Sequence, residues 1–114
     1  MKISSAISGI NFTITGRPEA EKIIFYLSFI KTDKNIPCDN FRDANISIFF
    51  YLSEDDCDYI ISDKKCIKVY FCNDTIELFI HRLFFYTKNG FFEIPELCDC
   101  ILNNKKTKSV YLLC

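Results

Sequence analysis

The chain of 114 residues has no tryptophan, a single histidine, a single methionine, and only three glycines and three prolines. Each scarcity removes a class of protein. Gly9, Gly16 and Gly90 stand alone, so no glycine-rich loop exists to cradle a phosphate, and neither a P-loop nor a dinucleotide fingerprint can be assembled. His81 is the sole imidazole, set between Ile80 and Arg82 with nothing local to activate it as the base of a hydrolase. Net charge is almost absent, with 14 Lys and Arg against 15 Asp and Glu, which removes the broad basic footprint of a general nucleic-acid binder. Long apolar runs are missing too. The longest, Ile23 to Ile30, is interrupted by Ser28 and falls far short of the roughly 20 residues that span a bilayer. Ser4, Ser5, Ser8, Gly9 and Asn11 break the N-terminal stretch, so it has no apolar core of a signal peptide. Met1-Lys2 is no myristoylation signal, and Tyr111 stands where a prenylation box needs cysteine. The expectation is a cytoplasmic protein without a membrane partner.

What is abundant instead is Ile (17), Phe (12), Lys (11), Asn (8) and Tyr (6), residues read from AT-rich codons. Such usage fits an AT-rich genome, as in a compact intracellular parasite or a large DNA virus. Hydrophobic residues are 49% and charged residues 25%, an ordinary globular composition that at this length predicts one domain, 1–114.

Seven cysteines would read as a disulfide framework in a secreted chain, but the odd count and the unpromising N-terminus favour reduced thiols. Zinc sites draw thiolates in pairs such as C-x2-C; here the only close pair is Cys98-x-Cys100, within a predicted helix that points them apart. Glu54-Asp55-Asp56-Cys57-Asp58 lacks the residue order of a calcium loop and reads as a solvated turn or a dock for a basic partner. No cofactor, metal or small-molecule substrate is expected.

Alternation of Ile10, Phe12 and Ile14 with Asn11, Thr13 and Thr15 predicts a strand. Residues 21–31 fit a helix through Ala20, Ile23, Ile24 and Leu27, and equally a strand through Ile23, Phe25, Leu27 and Phe29; their Ile, Phe and Tyr content tips the reading to strand. Residues 32–45 read as a loop, 45–52 as a strand, and 66–72 as another. Asn73-Asp74 and Lys88-Asn89-Gly90 carry hairpin-turn chemistry, which makes 75–80, 83–87 and 91–94 strands. A rival helix runs through Ile76, Phe79, Ile80, Leu83 and Phe84 behind Asp74. Pro95 opens a predicted short helix near 95–103, and 110–113 closes the sheet. No internal repeat is visible. The expected fold is α+β, mainly β: an antiparallel sheet of about six to eight strands with one or two short helices.

Charge is unevenly spread along the chain, +2 over residues 1–38, −6 over 39–63 and +3 over 64–114. Lys64, Lys65 and Lys68 form one basic group; Lys105, Lys106 and Lys108, followed by Tyr111, form a second that combines point charges with an aromatic face. Together these seven residues are the candidate RNA or partner contacts. Phe49-Phe50-Tyr51, Phe84-Phe85-Tyr86 and Phe91-Phe92 put rings on both faces of any strand, more than a small sheet covers, and so predict an exposed aromatic face. The reading is a non-enzymatic binding protein docked on a larger protein or ribonucleoprotein assembly, most concretely a ribosome-associated regulatory factor with local rRNA contact. The alternative is a viral-type modulator gripping one host protein through an aromatic sheet face. A thiol enzyme pairing one cysteine with His81 is a third.

Overall fold

The computed structural model describes residues 1–7, 9–32, 38–43 and 46–114, with side chains for 1–7, 9–31 and 46–114. Eight strands and two helices follow in the order β1 (Lys2–Ser5), β2 (Ile10–Thr13), α1 (Gly16–Thr32), β3 (Cys38–Asp43), β4 (Ile46–Leu52), β5 (Tyr59–Ser62), β6 (Cys66–Phe71), α2 (Asn73–Asn89), β7 (Glu96–Leu102) and β8 (Lys106–Leu113). The fold is α+β and mainly β, with all strands in one sheet of order β1-β2-β8-β7-β5-β6-β4-β3.

The sheet is mixed, not antiparallel. Four hairpin pairs, β1/β2, β3/β4, β5/β6 and β7/β8, are joined through the parallel pairs β2/β8, β5/β7 and β4/β6. Parallel pairs need long connections: β5 reaches β7 through β6 and α2, β4 reaches β6 through β5, and β2 reaches β8 only through the rest of the chain. Neither helix is short; each has 17 residues.

Segment 21–31 is helical because the spacing that is buried is Ala20, Ile23, Leu27, Ile30, whereas the alternating Phe25 and Phe29 are exposed. The expected hairpins at Asn73-Asp74 and Lys88-Asn89-Gly90 both fail for a related reason, since 73–89 is one helix and 91–94 is not a strand. Asn73 opens α2 behind the N-cap residue Cys72, and Ile76, Phe79, Leu83 and Tyr86 form its buried stripe, so the rival helix is the correct one. Gly90, at φ +80°, ends α2 as a left-handed C-cap, its N–H donating to Tyr86 O at 2.8 Å. Hairpin turns and helix C-caps both want positive φ, and Asn-Gly serves either. Residues 95–103 are strand β7 and not a helix. The hairpin turn here is Asn103-Asn104, both at positive φ, with Lys105 N–H donating to Leu102 O at 3.0 Å. Cys98 and Cys100 therefore share a face. Within the polar stretch 32–45, residues 38–43 form β3 against β4; 33–37 and 44–45 lie outside the described residues.

The two halves of the chain repeat one another, which the sequence conceals. Each is a ββαββ unit, and exchanging the halves turns the strand order into its own cyclic permutation. The registers agree residue by residue. Ile3↔Phe12 and Ser5↔Ile10 in the first hairpin correspond to Ile60↔Val69 and Ser62↔Ile67 in the third. Ile10↔Val110 and Phe12↔Leu112 correspond to Ile67↔Ile48 and Val69↔Phe50. The helices bury the same 3-4-3 spacing, at 20, 23, 27, 30 and at 76, 79, 83, 86. Only the pattern of burial is repeated; few identities are, so no repeat shows in the sequence.

The ends of the strand order, β1 and β3, approach one another, so the sheet curls. Phe12 and Phe71, with three strands between them, meet at 6.0 Å. Phe79 of α2 packs on Phe12, Phe50 and Phe71 at 6.1–6.3 Å. This aromatic knot, which the Ile, Leu and Val of both halves surround, is the core.

Candidate functional site

Odd-numbered strands run one way and even-numbered strands the other, so the hairpin turns gather at one end of the sheet. The helical crossovers and the β4–β5 loop gather at the opposite end. That division sorts the charge. Lys64 and Lys65 are exposed on the β5–β6 turn, and Lys105 and Lys106 on the β7–β8 turn. β5 and β7 are neighbours, and Asn103 ties the two tips together: its N–H donates to Ile60 O at 2.8 Å and its Oδ1 accepts from Ser62 N–H at 2.7 Å. The two lysine groups, 40 residues apart in sequence, thus share one end. Asp63 sits among them, but its Oδ1 is engaged by the backbone N–H groups of Lys65 and Cys66 at 2.7 and 2.8 Å, which hold its carboxyl below the usual range. None of these four lysines is in a salt bridge among the described residues. Glu54, Asp55 and Asp56, all exposed, occupy the opposite end.

The other three candidates divide. Lys68 stands half-buried on the outer face of β6, in register with Phe49 on β4 and Ile61 on β5. Lys108 is committed to structure, its Nζ donating to Ser5 Oγ and Ala6 O at 3.2 Å and so pinning the β1–β2 turn. Tyr111 is likewise engaged: its ring covers Gly9, where an added Cβ would lie 2.7 Å from it. The structure therefore brings Lys64, Lys65, Lys105 and Lys106 together, leaves Lys68 beside them on the outer face, and gives Lys108 and Tyr111 structural work.

One row of that outer face carries Tyr51, Tyr70 and Tyr59 on adjacent strands β4, β6 and β5. Tyr51 stacks on Tyr70 at 4.8 Å and Tyr70 on Tyr59 at 4.5 Å, with interplanar angles of 15° and 10°. Burial, then Tyr70, Asp55 and Glu54, raise the Tyr59 phenol above its ordinary pKa. The exposed Ile101, in register with Tyr59, extends the row, and the exposed Ile61 lies in the next row, opposite Lys68. A partly open aromatic sheet face is thus present, built mainly from tyrosines; its signal within each strand is the alternation of Tyr51 with buried Phe50, Tyr59 with buried Ile60, and Tyr70 with buried Val69 and Phe71.

Two cavities flank α2. One of about 290 Å³ is lined by Arg82 and by Ile94, Glu96, Cys98, Asp99 and Ser109 among others; a smaller one, about 40 Å³, holds His81, Arg82 and Glu93. Cys98 and His81 line different cavities. Burial first, and Asp58 next, push the Cys98 thiol far above its usual value; the same causes push Cys100 up to about 12. Neither is a nucleophile at neutral pH. Among the described residues no three His, Cys, Asp or Glu side chains gather as metal ligands, and no helix is long and apolar enough to cross a membrane. Comparison with known families, curated proteins and solved structures returned no match.

Proposed function

We propose that this chain is a non-enzymatic docking module that seats its hairpin end on a ribonucleoprotein, the ribosome being the most concrete instance. The observation that carries the reading is the arrival of Lys64, Lys65, Lys105 and Lys106 on two tied hairpin tips, in no salt bridge among the described residues, while the acidic run Glu54-Asp55-Asp56 lies at the far end. A near-neutral chain with separated charge binds phosphate at one end and turns the other away. Lys68 and the tyrosine row adjoin this end, and supply a surface on which an unpaired base or a partner's side chain can rest.

The test is sedimentation of the untagged protein in a lysate of its own cells. Co-migration with ribosomal particles, lost on RNase or high-salt treatment and absent for a variant with all four lysines changed to Glu, is expected. A free 13 kDa species under every condition overturns the reading. Four phosphate contacts would also give binding to single-stranded RNA a log–log salt slope of about −3.

The tyrosine row favours a second reading, a single protein partner gripped through the outer face. That complex would survive RNase, tolerate the lysine changes, and be lost on Tyr70→Ala.

A further inference from the structure

At the hairpin end the inner face of the curled sheet holds a cavity of about 120 Å³. Ile3, Ile10, Ile60 and Ile67 form its walls, with Ser5 and Ser62 beside them. In the repeat these are equivalent pairs, 3 with 60, 10 with 67 and 5 with 62, so both halves build the cavity jointly. None of the described residues lining it belongs to a helix. Ser5 and Ser62 lie two residues nearer the turns than Ile3 and Ile60, which makes the cavity polar toward its mouth and apolar at its depth. The rim is cationic. Lys106 is the cross-strand partner of Leu102, another wall residue, and it shares with Lys108 the inward parity of Val110 and Leu112. Lys108 Nζ, held at 3.2 Å by Ser5 Oγ and Ala6 O, sets a full positive charge at the mouth. No carboxylate lines the cavity among the described residues, and Asp63 on the adjoining turn has its Oδ1 taken by the N–H groups of Lys65 and Cys66. Ile7, wholly exposed on the β1–β2 turn, adds an apolar group at the same end.

We propose that this cavity receives one leucine-sized side chain of a partner protein, carried on an acidic segment whose carboxylates meet Lys106 and Lys108. Size and polarity select this occupant. A cavity of about 150 Å³ lined by Leu, Ile and Phe holds a benzene-sized guest, so 120 Å³ suits a single branched side chain and is too small for an acyl chain. A nucleotide with its phosphate on the lysines would lead with the polar edge of its base into the isoleucine depth, where those groups go unmatched. An aliphatic side chain is apolar to its tip. Carboxylates on either side of it complement the cationic rim, and basic segments are turned away. The site gives the hairpin end a protein contact, and it stands whether or not RNA binds the turns there.

The experiment titrates the full chain, 13C-labelled at the isoleucine δ-methyls, with three capped tripeptides: glutamyl-leucyl-glutamate, glutamyl-alanyl-glutamate and lysyl-leucyl-lysine. The acidic leucine peptide is expected to shift the methyls of Ile3, Ile10, Ile60 and Ile67. It should bind about tenfold more tightly than the alanine peptide, the ratio set by the apolar carbons withdrawn from water. It should also bind more tightly than the basic leucine peptide, and Lys106→Glu should reverse that order. Ser62→Leu fills the cavity from within, and should raise the urea midpoint while abolishing binding; Ile3→Phe fills it from the other half and should abolish binding too. Absence of methyl shifts with the acidic leucine peptide, equal affinity of the leucine and alanine peptides, or equal affinity of the acidic and basic leucine peptides overturns the proposal. So does undiminished binding by either filled variant in its folded state. An oligouridylate that shifts the four methyls as strongly as the peptide also overturns it, because the cavity would then be a base pocket.

Discussion

Asp58 shows how much one side chain can organise. Its Oδ1 accepts the N–H of Cys72, the N-cap residue of α2, and its Oδ2 accepts the hydroxyl of Thr75, in the first turn of α2. Cys72 offers no side-chain cap of its own, so a carboxylate from the preceding hairpin does that work and stands at the positive end of the helix dipole. Asp58→Ala is expected to cost about 2–3 kcal/mol, read as a lowered urea midpoint at unchanged slope. Gly9 is fixed by space: a Cβ there would lie 2.5 Å from Ser109 O and 2.7 Å from the Tyr111 ring. Gly9→Ala should therefore destabilise by about 1–3 kcal/mol, while Gly90, open around its Cβ position, is constrained only by its positive φ.

The buried thiols make a pH prediction at the same scale. Cys100 titrates at about 12 in the folded chain against an ordinary 9.0, and Cys98 is shifted in the same direction. The unfolded chain thus loses these protons first. Their contribution is complete below pH 9.0 and drains away as pH rises toward 12. Unfolding midpoints should fall over that window, and fall less in a Cys98→Ala, Cys100→Ala variant. Iodoacetamide at neutral pH should label the exposed Cys57 and Cys114 and spare Cys98 and Cys100.

Among the elements, strands were legible wherever one face alone is buried. Ile10, Phe12 and Ile14, and Ile67, Val69 and Phe71, alternate cleanly with polar or half-buried neighbours. Helices were harder to read because both carry aromatic and β-branched residues on their exposed sides. Phe25, at 67% exposed, and Phe84, at 51%, completed false strand patterns that a polar outer face would have broken. β7 was misread in the opposite sense: Pro95 and Glu96 imitate a helix start, and the bulge between Glu96 and Cys98 spoils the alternation that would have declared a strand. The candidate site was half legible. Clustered lysines showed themselves in the sequence, but their convergence depends on β5 lying beside β7, a parallel contact with no local signature. The tyrosine row is the element-level feature most open to test. Replacing Tyr70, its central ring, with leucine removes two stacked pairs and should cost about 1–2 kcal/mol.

At the scale of the whole molecule, the halves are interlocked. Strands of the second half occupy the middle of the order as β8-β7-β5-β6, and those of the first flank them as β1-β2 and β4-β3. Joined only by the exposed loop around Glu54–Cys57, the halves should stay together after a cut there. A glutamate-specific protease acting at Glu54 is expected to leave a nicked species that elutes with the intact chain, whereas residues 1–54 made alone should show no cooperative unfolding. Independent folding of that first fragment would refute the interlocked arrangement.

Ile10 finds its neighbour at Val110, across nearly the whole length of the chain. A nascent polypeptide emerging amino-terminus first would hold β2 ready, one edge paired to β1 and the other vacant, until translation is almost complete. The same wait applies at the centre, where β5 meets β7 only after α2 has been made. Closure of such distant pairs is slow, and the vacant edge is a site for mispairing with other chains. Production of this protein in the cell should therefore depend on a chaperone that shields β2 during synthesis more than on the stability of the finished fold.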